Sequence, residues 1–176
     1  ELQMKRLLAA GLPRIYQICR CFRRGEIGAH HEPEFTMLEW YRAEAGAAEV
    51  MHDTEALVAH VCETVRGTTD LPSGTSVALP WRRLGIEAAF RRFAGVEVVD
   101  VLPDEERFFR ILIERVEPAL VEIGPVFLDR WPASMASLAR LCEDDPRWAE
   151  RFEAYVGGLE LCNGFDELTD AAEQVE

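Results

Sequence analysis

The run Cys21-Phe22-Arg23-Arg24-Gly25-Glu26-Ile27-Gly28-Ala29-His30-His31-Glu32-Pro33-Glu34-Phe35-Thr36-Met37-Leu38-Glu39-Trp40-Tyr41 gathers residue types that do chemistry. An arginine stands where one β-prone stretch ends and an aromatic where the next begins. Histidines and carboxylates fill the loop between them. Arginine supplies a permanent planar cation suited to a phosphate, and an aromatic face stacks on a purine. Glu39 and Tyr41 are two residues apart, so on a strand they share a face. A carboxylate beside a phenol makes a cradle for an ammonium group. Taken singly, each has a plainer reading: Arg23 as a surface cation, Phe35 as core, His30 and His31 as loop residues.

Two strands must position these groups. Ile15 to Phe22 alternates and is rich in β-formers, Phe35 to Tyr41 reads as a second strand, and the polar loop from Arg23 to Pro33 makes them an antiparallel pair. A short helix over Met4 to Ala10, ended by Gly11 and Pro13, precedes them. Ala47 to Arg66 reads as a long amphipathic helix with Val50, Leu57, Val58, Val61 and Val65 near helical spacing. Further on, the pattern predicts a strand at Val77 to Leu79 and a helix at Leu84 to Phe93. A second helix runs from Glu105 to Glu122, interrupted near Pro118. Strands follow at Pro125 to Leu128 and Phe152 to Leu161, a short helix or turn at Ser134 to Leu141, and a helix at Phe165 to Glu173. This mixture is an α+β domain with an antiparallel sheet.

At 176 residues, nearly half of them apolar, the chain suits one domain with a real core. Its net charge of −13 speaks against a non-specific nucleic-acid binder. Residues 1–24 hold six basic side chains against one acid, a local +5, which leaves −18 for the remainder. By charge alone that segment reads as a solvated helix face, with a locally held phosphate-bearing ligand as the alternative. The five cysteines are scattered, and Cys19 and Cys21 lack the partners of a four-ligand zinc site, so they read as buried thiols in a reducing cytoplasm. No apolar stretch is long enough to cross a bilayer, so no membrane is expected. The opening Glu1-Leu2-Gln3 suggests that residues before Glu1 are missing from the sequence.

As a string, Cys21 to Tyr41 resembles motif 2 of class II aminoacyl-tRNA synthetases of the lysyl subgroup, with its Phe-Arg, its loop and its His-x-Pro-Glu-Phe-Thr. Pro33 to Arg42 is especially similar to the lysyl-synthetase paralogues that modify elongation factor P. Glu1 to Gly11 resembles the segment after motif 1, and Leu159 to Asp170 the subgroup's Glu-Leu-x-Asn-Gly-x-x-Glu-Leu signature. Trp131 to Ser134, with Leu138-Ala139, fits the connecting strand and turn, while residues 67–120 are only weakly alike.

The resemblance implies a class II synthetase-like antiparallel β-sheet flanked by helices, in a cytoplasmic homodimer serving translation. It implies ATP and Mg²⁺, with Arg23 on the α-phosphate as the catalytic cation. Arg24, Gly25, Glu26, His31 and Glu32 would lie along the nucleotide, Phe35 on adenine, and Glu160 with Leu161 at the ATP, Glu160 through Mg²⁺. Glu1, Glu39, Tyr41, Asn163 and Glu167 would surround the amino acid. The implied reaction is ATP-dependent activation of lysine or β-lysine as its adenylate and transfer to a lysine of elongation factor P. Lysine–tRNA ligation is the alternative, with tRNA the less favoured acceptor. A non-catalytic paralogue acting as a binding module is the third reading. Three departures stand in the sequence: Arg24 and Gly25 separate Arg23 from Glu26, Glu32 replaces the family's asparagine, and motifs 1 and 3 are absent. Residues 1–176 are therefore expected to be one catalytic-core domain, incomplete, either a fragment or a chain that has lost catalytic competence.

Overall fold

Alternation of inward and outward residues on both sides of the polar loop produces the expected hairpin. In the computed structural model, which describes residues 2–25, 27–28 and 31–175, β1 (Arg14–Phe22) pairs antiparallel with β2 (Glu34–Arg42) without a register slip. Helix α1 (Leu2–Ala9) precedes them and buries Met4. These elements form one unit, residues 1–45, and residues 46–176 form a second. In the first unit Met4 is the single fully buried side chain among the described residues. One hairpin face, Ile15, Gln17, Cys19, Cys21, Phe35, Met37, Glu39 and Tyr41, is half-buried. Opposite positions such as Tyr16, Ile18, Phe22 and Leu38 are exposed.

The second unit is built on a four-stranded sheet in the order β3 (Arg82–Gly85), β4 (Val126–Pro132), β5 (Trp148–Val156), β6 (Leu159–Phe165). The first pair is parallel and the others antiparallel. Helix α2 (Ala47–Arg66) covers one face, where Ala47, Met51, Cys62 and Trp81 meet Phe127, Phe152, Ala154 and Val156. The other face carries α3 (Ile86–Ala89), α4 (Glu105–Ile111) and α5 (Glu117–Leu120). There Phe90, Phe108, Leu112, Val116 and Leu120 pack on Val126, Leu128, Trp131 and Tyr155. Phe90 and Phe108 stack with centroids 4.8 Å apart.

Helix α2 has the expected bounds, and of the expected face Val50 and Val58 pack on the core. Its buried positions are Ala47, Met51, Thr54, Glu55, Ala59 and Cys62, whereas Val61 and Val65 are exposed. Buried Glu55 is retained because it accepts the Trp81 backbone N–H at 2.7 Å. The segment expected as a strand at Val77 to Leu79 instead plugs the core: Val77 is fully buried and its carbonyl accepts from the Trp81 indole at 3.0 Å. The strand lies at Arg82–Gly85, whose arginines hid it from an apolar pattern, and α3 accordingly begins at Ile86 rather than Leu84. The helix expected over 105–122 runs as α4, a π-helical turn (Leu112–Val116), α5 and a 3-10 turn, with Pro118 directly after the π-helical turn, where the Glu117 N–H reaches back to the Leu112 carbonyl.

Phe152 to Leu161 is not one strand but two, turned at Gly157-Gly158, where both residues have positive φ. An added Cβ at Gly158 would lie 2.7 Å from Val121 Cγ2, so the turn is closed to side chains. Gly164 on β6 is likewise roofed by a ring, since a Cβ there would meet Phe152 Cζ at 2.5 Å. Phe165 to Glu173 is not helical. Its backbone N–H groups turn to neighbouring chain instead, Asp166 donating to the Glu150 carbonyl at 2.9 Å and Leu168 to that of Leu138 at 2.8 Å. The only helical turn there is at Glu173–Val175.

Candidate active site

The expected residues fall on the two units, and each group has its own geometry. In the hairpin, the register sets Glu39 opposite Gln17 and Tyr41 opposite Ile15. Gln17 Nε2 donates to Glu39 Oε2 at 2.5 Å and the Tyr41 hydroxyl donates to Glu39 Oε1. Partial burial pushes the Glu39 carboxyl up, but the hydrogen bonds from Tyr41 and Gln17 and the charge of Lys5 outweigh it and hold the group below its ordinary value. The result is a half-buried anion held by neutral donors, facing the same way as Phe35.

Arg23 begins the loop. Its backbone N–H donates to the Pro33 carbonyl at 3.0 Å, and its guanidinium lies 5.2 Å from the Phe35 ring centroid. Stacking uses the face of the guanidinium and not its N–H edge. Arg24, Gly25, His31 and Glu32 are exposed along the same loop. Glu1 and Glu26 lie outside the described residues.

In the sheet unit, strand β6 carries Glu160, Leu161 and Asn163. Glu160 and Asn163 are three apart, and on a regular strand they would point to opposite faces. The β5–β6 register shifts between Ala154 and Tyr155, so Tyr155 opposes Glu160 while Glu153 opposes Asn163. Leu161 is the extra residue of this bulge, which turns both polar groups to one face. Glu167 lies beyond β6, half-buried, where its backbone pairs with Ala139.

Arg151 fixes that face. It donates to Asn163 Oδ1 at 3.2 Å, Glu153 Oε1 at 2.8 Å and the Met135 carbonyl at 2.7 Å, and it lies 4.3 Å from the Trp131 ring centroid. With Oδ1 engaged by a cation, the Asn163 amide presents N–H donors elsewhere, an orientation assigned from this network. Tyr155 donates to Glu153 Oε2 at 2.7 Å and, at 3.3 Å, to Glu117 Oε1 from α5. Burial pushes the Glu153 carboxyl up to about 7, and the negative charge of Glu160 adds to the rise despite Tyr155 and Arg151. Burial also raises Glu117. Gln17, Arg151, Glu153 and Tyr155 escaped the sequence reading. Arg151, Glu153 and Tyr155 left a signal there, polar residues at alternate positions between Phe152, Ala154 and Val156. Gln17 needed the hairpin register.

In the sheet unit, Glu160 is of the donor type that a Mg²⁺-bound nucleotide takes. Glu160 is an exposed single carboxylate, and Mg²⁺ typically takes one or two carboxylates together with substrate phosphates and water. Among the described residues no three His, Cys, Asp or Glu side chains converge as a metal cage. A shallow hollow lined by Arg140, Leu141, Glu143, Leu168 and Thr169 contains none of the expected site residues, so concavity alone does not mark this site.

The hairpin unit carries Arg23, Phe35 and Glu39, and the sheet unit separately carries Glu160 and Asn163. The family of class II tRNA synthetases (D, K and N) matches residues 1–176, and the chain belongs to it. The α+β class read from the sequence is the one found, though its second sheet is mixed rather than purely antiparallel. Among individual proteins, the chain is 41% identical over 181 residues to the elongation factor P–(R)-β-lysine ligase of Enterobacter sp. (strain 638). It is 37% identical over 195 residues to proteins of the same name from Salmonella paratyphi B and Salmonella heidelberg. Each match covers 99% of this chain and 56% of the relative, so the chain spans about half the length of those relatives. Among the described residues, no helix is long and apolar enough to cross a membrane.

Proposed function

We propose that the protein carrying this chain activates lysine or β-lysine with ATP as the aminoacyl-adenylate and transfers it to a lysine of elongation factor P. The observation that carries this reading is the Glu39 cradle, a carboxylate kept ionised by Gln17 and Tyr41 and therefore suited to a substrate ammonium. The name shared by the relatives supports the choice of amino acid and acceptor.

In this reading the substrate carboxylate attacks the α-phosphorus of ATP and pyrophosphate leaves, so the protein acts by positioning and charge and needs no covalent nucleophile. Arg23 offsets charge at the α-phosphate, Phe35 stacks on adenine, and the loop from Arg24 through Glu26 to His31 and Glu32 follows the nucleotide. Glu160 would hold Mg²⁺, which would supply charge neutralisation on the phosphates. Leu161 lies beside it. The family resemblance assigns Glu1, Glu39, Tyr41, Asn163 and Glu167 to the amino acid, the carboxylates to its ammonium groups. The working protein is a cytoplasmic homodimer.

The test is parallel transfer of radiolabelled lysine and (R)-β-lysine, with ATP, to purified elongation factor P and to lysine tRNA. Label on the factor is expected. Label on tRNA hands the case to lysine–tRNA ligation, and loss of lysine-dependent ATP–pyrophosphate exchange in the intact protein makes it a binding module.

A further inference from the structure

Two thiols stand side by side on the hairpin face that carries Glu39. Cys19 and Cys21 alternate with the exposed Ile18, Arg20 and Phe22, so both belong to the half-buried face with Gln17, Glu39 and Tyr41. Both are free, and their sulfurs are 3.8 Å apart in a thiol–thiol hydrogen bond. Met37 opposes Cys19 in the register, adding a soft thioether to the same face.

The spacing separates the chemistries open to a thiol pair. A disulfide needs sulfurs about 2 Å apart, and residues two apart on an extended strand have α-carbons roughly 6.6 Å apart, near the far limit for that bond. An atom bonded to both sulfurs at about 2.3 Å, as zinc is to thiolate, spans about 3.8 Å at a tetrahedral angle. The pair therefore sits at the bite of a bridging cation. Its hydrogen bond with Cys21, then burial and the nearby charges of Cys21 and Glu39, push the Cys19 thiol above its ordinary value. That disfavours the free thiolate that peroxide chemistry needs, whereas a thiophilic cation displaces the proton itself. Since no third His, Cys, Asp or Glu converges here among the described residues, the protein offers two thiolates and leaves the remaining positions open.

We propose that Cys19 and Cys21 form a dithiol site that captures a thiophilic cation, a soft metal or a trivalent metalloid, between their sulfurs. Bound there, the cation obstructs the Glu39 cradle on the same face. That obstruction rests on the proposed amino-acid site, whereas the capture does not.

Phenylarsine oxide is the probe. Two thiol protons and the oxide oxygen leave as one water, two arsenic–sulfur bonds form, and arsenic stays trivalent. The reduced protein is titrated in excess glutathione and read by intact mass. The expected result is an arsenical that glutathione does not remove and dithiothreitol does. Cys19→Ser and Cys21→Ser should each bind one arsenical fewer than the parent, while serine at Cys62, Cys142 and Cys162 together should leave the count unchanged. An undiminished count in either Cys19→Ser or Cys21→Ser overturns the site. So does equal capture by the protein unfolded in urea, because the strand would then contribute nothing. In the active enzyme the adduct should raise KM for the amino acid by about tenfold or more. Capture without that rise would leave the dithiol site standing and remove its overlap with the cradle. Capture in a protein that activates no amino acid would separate it from the proposed function altogether.

Discussion

Glu39 and Glu153 share a local pattern and are driven in opposite directions. Each is a strand carboxylate that accepts a hydrogen bond from a tyrosine two residues further on, Tyr41 and Tyr155. Glu39 is only half-buried, takes a second neutral donor from Gln17 and titrates below its ordinary value. Glu153 is 7% exposed, has Glu160 and Glu117 for neighbours and rises to about 7 even with Arg151 against it. The Glu-x-Tyr pattern therefore does not set a carboxylate's charge. The depth of the strand face and the sign of its neighbours do. The half-buried Glu39 is suited to meeting a ligand, while the buried Glu153 is suited to holding Arg151 and Tyr155 in place.

The strongest challenge to that division is Arg23→Ala. It should cut lysine-dependent ATP–pyrophosphate exchange by about 10²–10³-fold while leaving the unfolding midpoint unmoved. Retained exchange would remove Arg23 from the chemistry. The pH response of stability comes next. Glu153 binds its proton more tightly folded than unfolded, so its burden is absent below the unfolded value of 4.5 and grows until the pH passes about 7. That amounts to about 3 kcal/mol, and urea unfolding of Glu153→Gln should lack this part of the decline. Glu39 has the reverse sign: its contribution is present above its unfolded value and is lost as pH falls through the lower folded one.

A smaller effect is expected from Glu39→Gln, which should raise KM for the amino acid about tenfold to a hundredfold. KM for ATP and thermal stability should be nearly unchanged; equal losses for both substrates would break the cradle assignment. Tyr41→Phe removes one neutral donor and should raise the same KM by about fivefold, near 1 kcal/mol. Steady-state kinetics at saturating ATP measures both.

The hairpin was legible because its face alternates with period two and its loop is polar, so Arg23, Phe35, Glu39 and Tyr41 could be placed from sequence. The sheet unit was less so. Arg82–Gly85 is a strand because it lies beside Val126–Asp129, not because its residues favour one. The apolar spacing over 165–173 looked helical, but the carbonyls of Glu150 and Leu138 captured its N–H groups. Helix α2 turns Thr54, Glu55 and Ala59 inward beside Val50 and Val58, while the expected Val61 and Val65 are exposed. On β6, no period reveals that Leu161 is the extra residue, so the shared face of Glu160 and Asn163 appears only once the register is known.

The contact between Phe152 and Gly164 bears on how this strand is recoded. Even alanine at 164 would drive a methyl into the ring, so the two positions form one joint variable. A library on β6 can diversify Asn163 with glycine kept at 164. Position 164 enters it only when a smaller residue at 152 is encoded in the same clone.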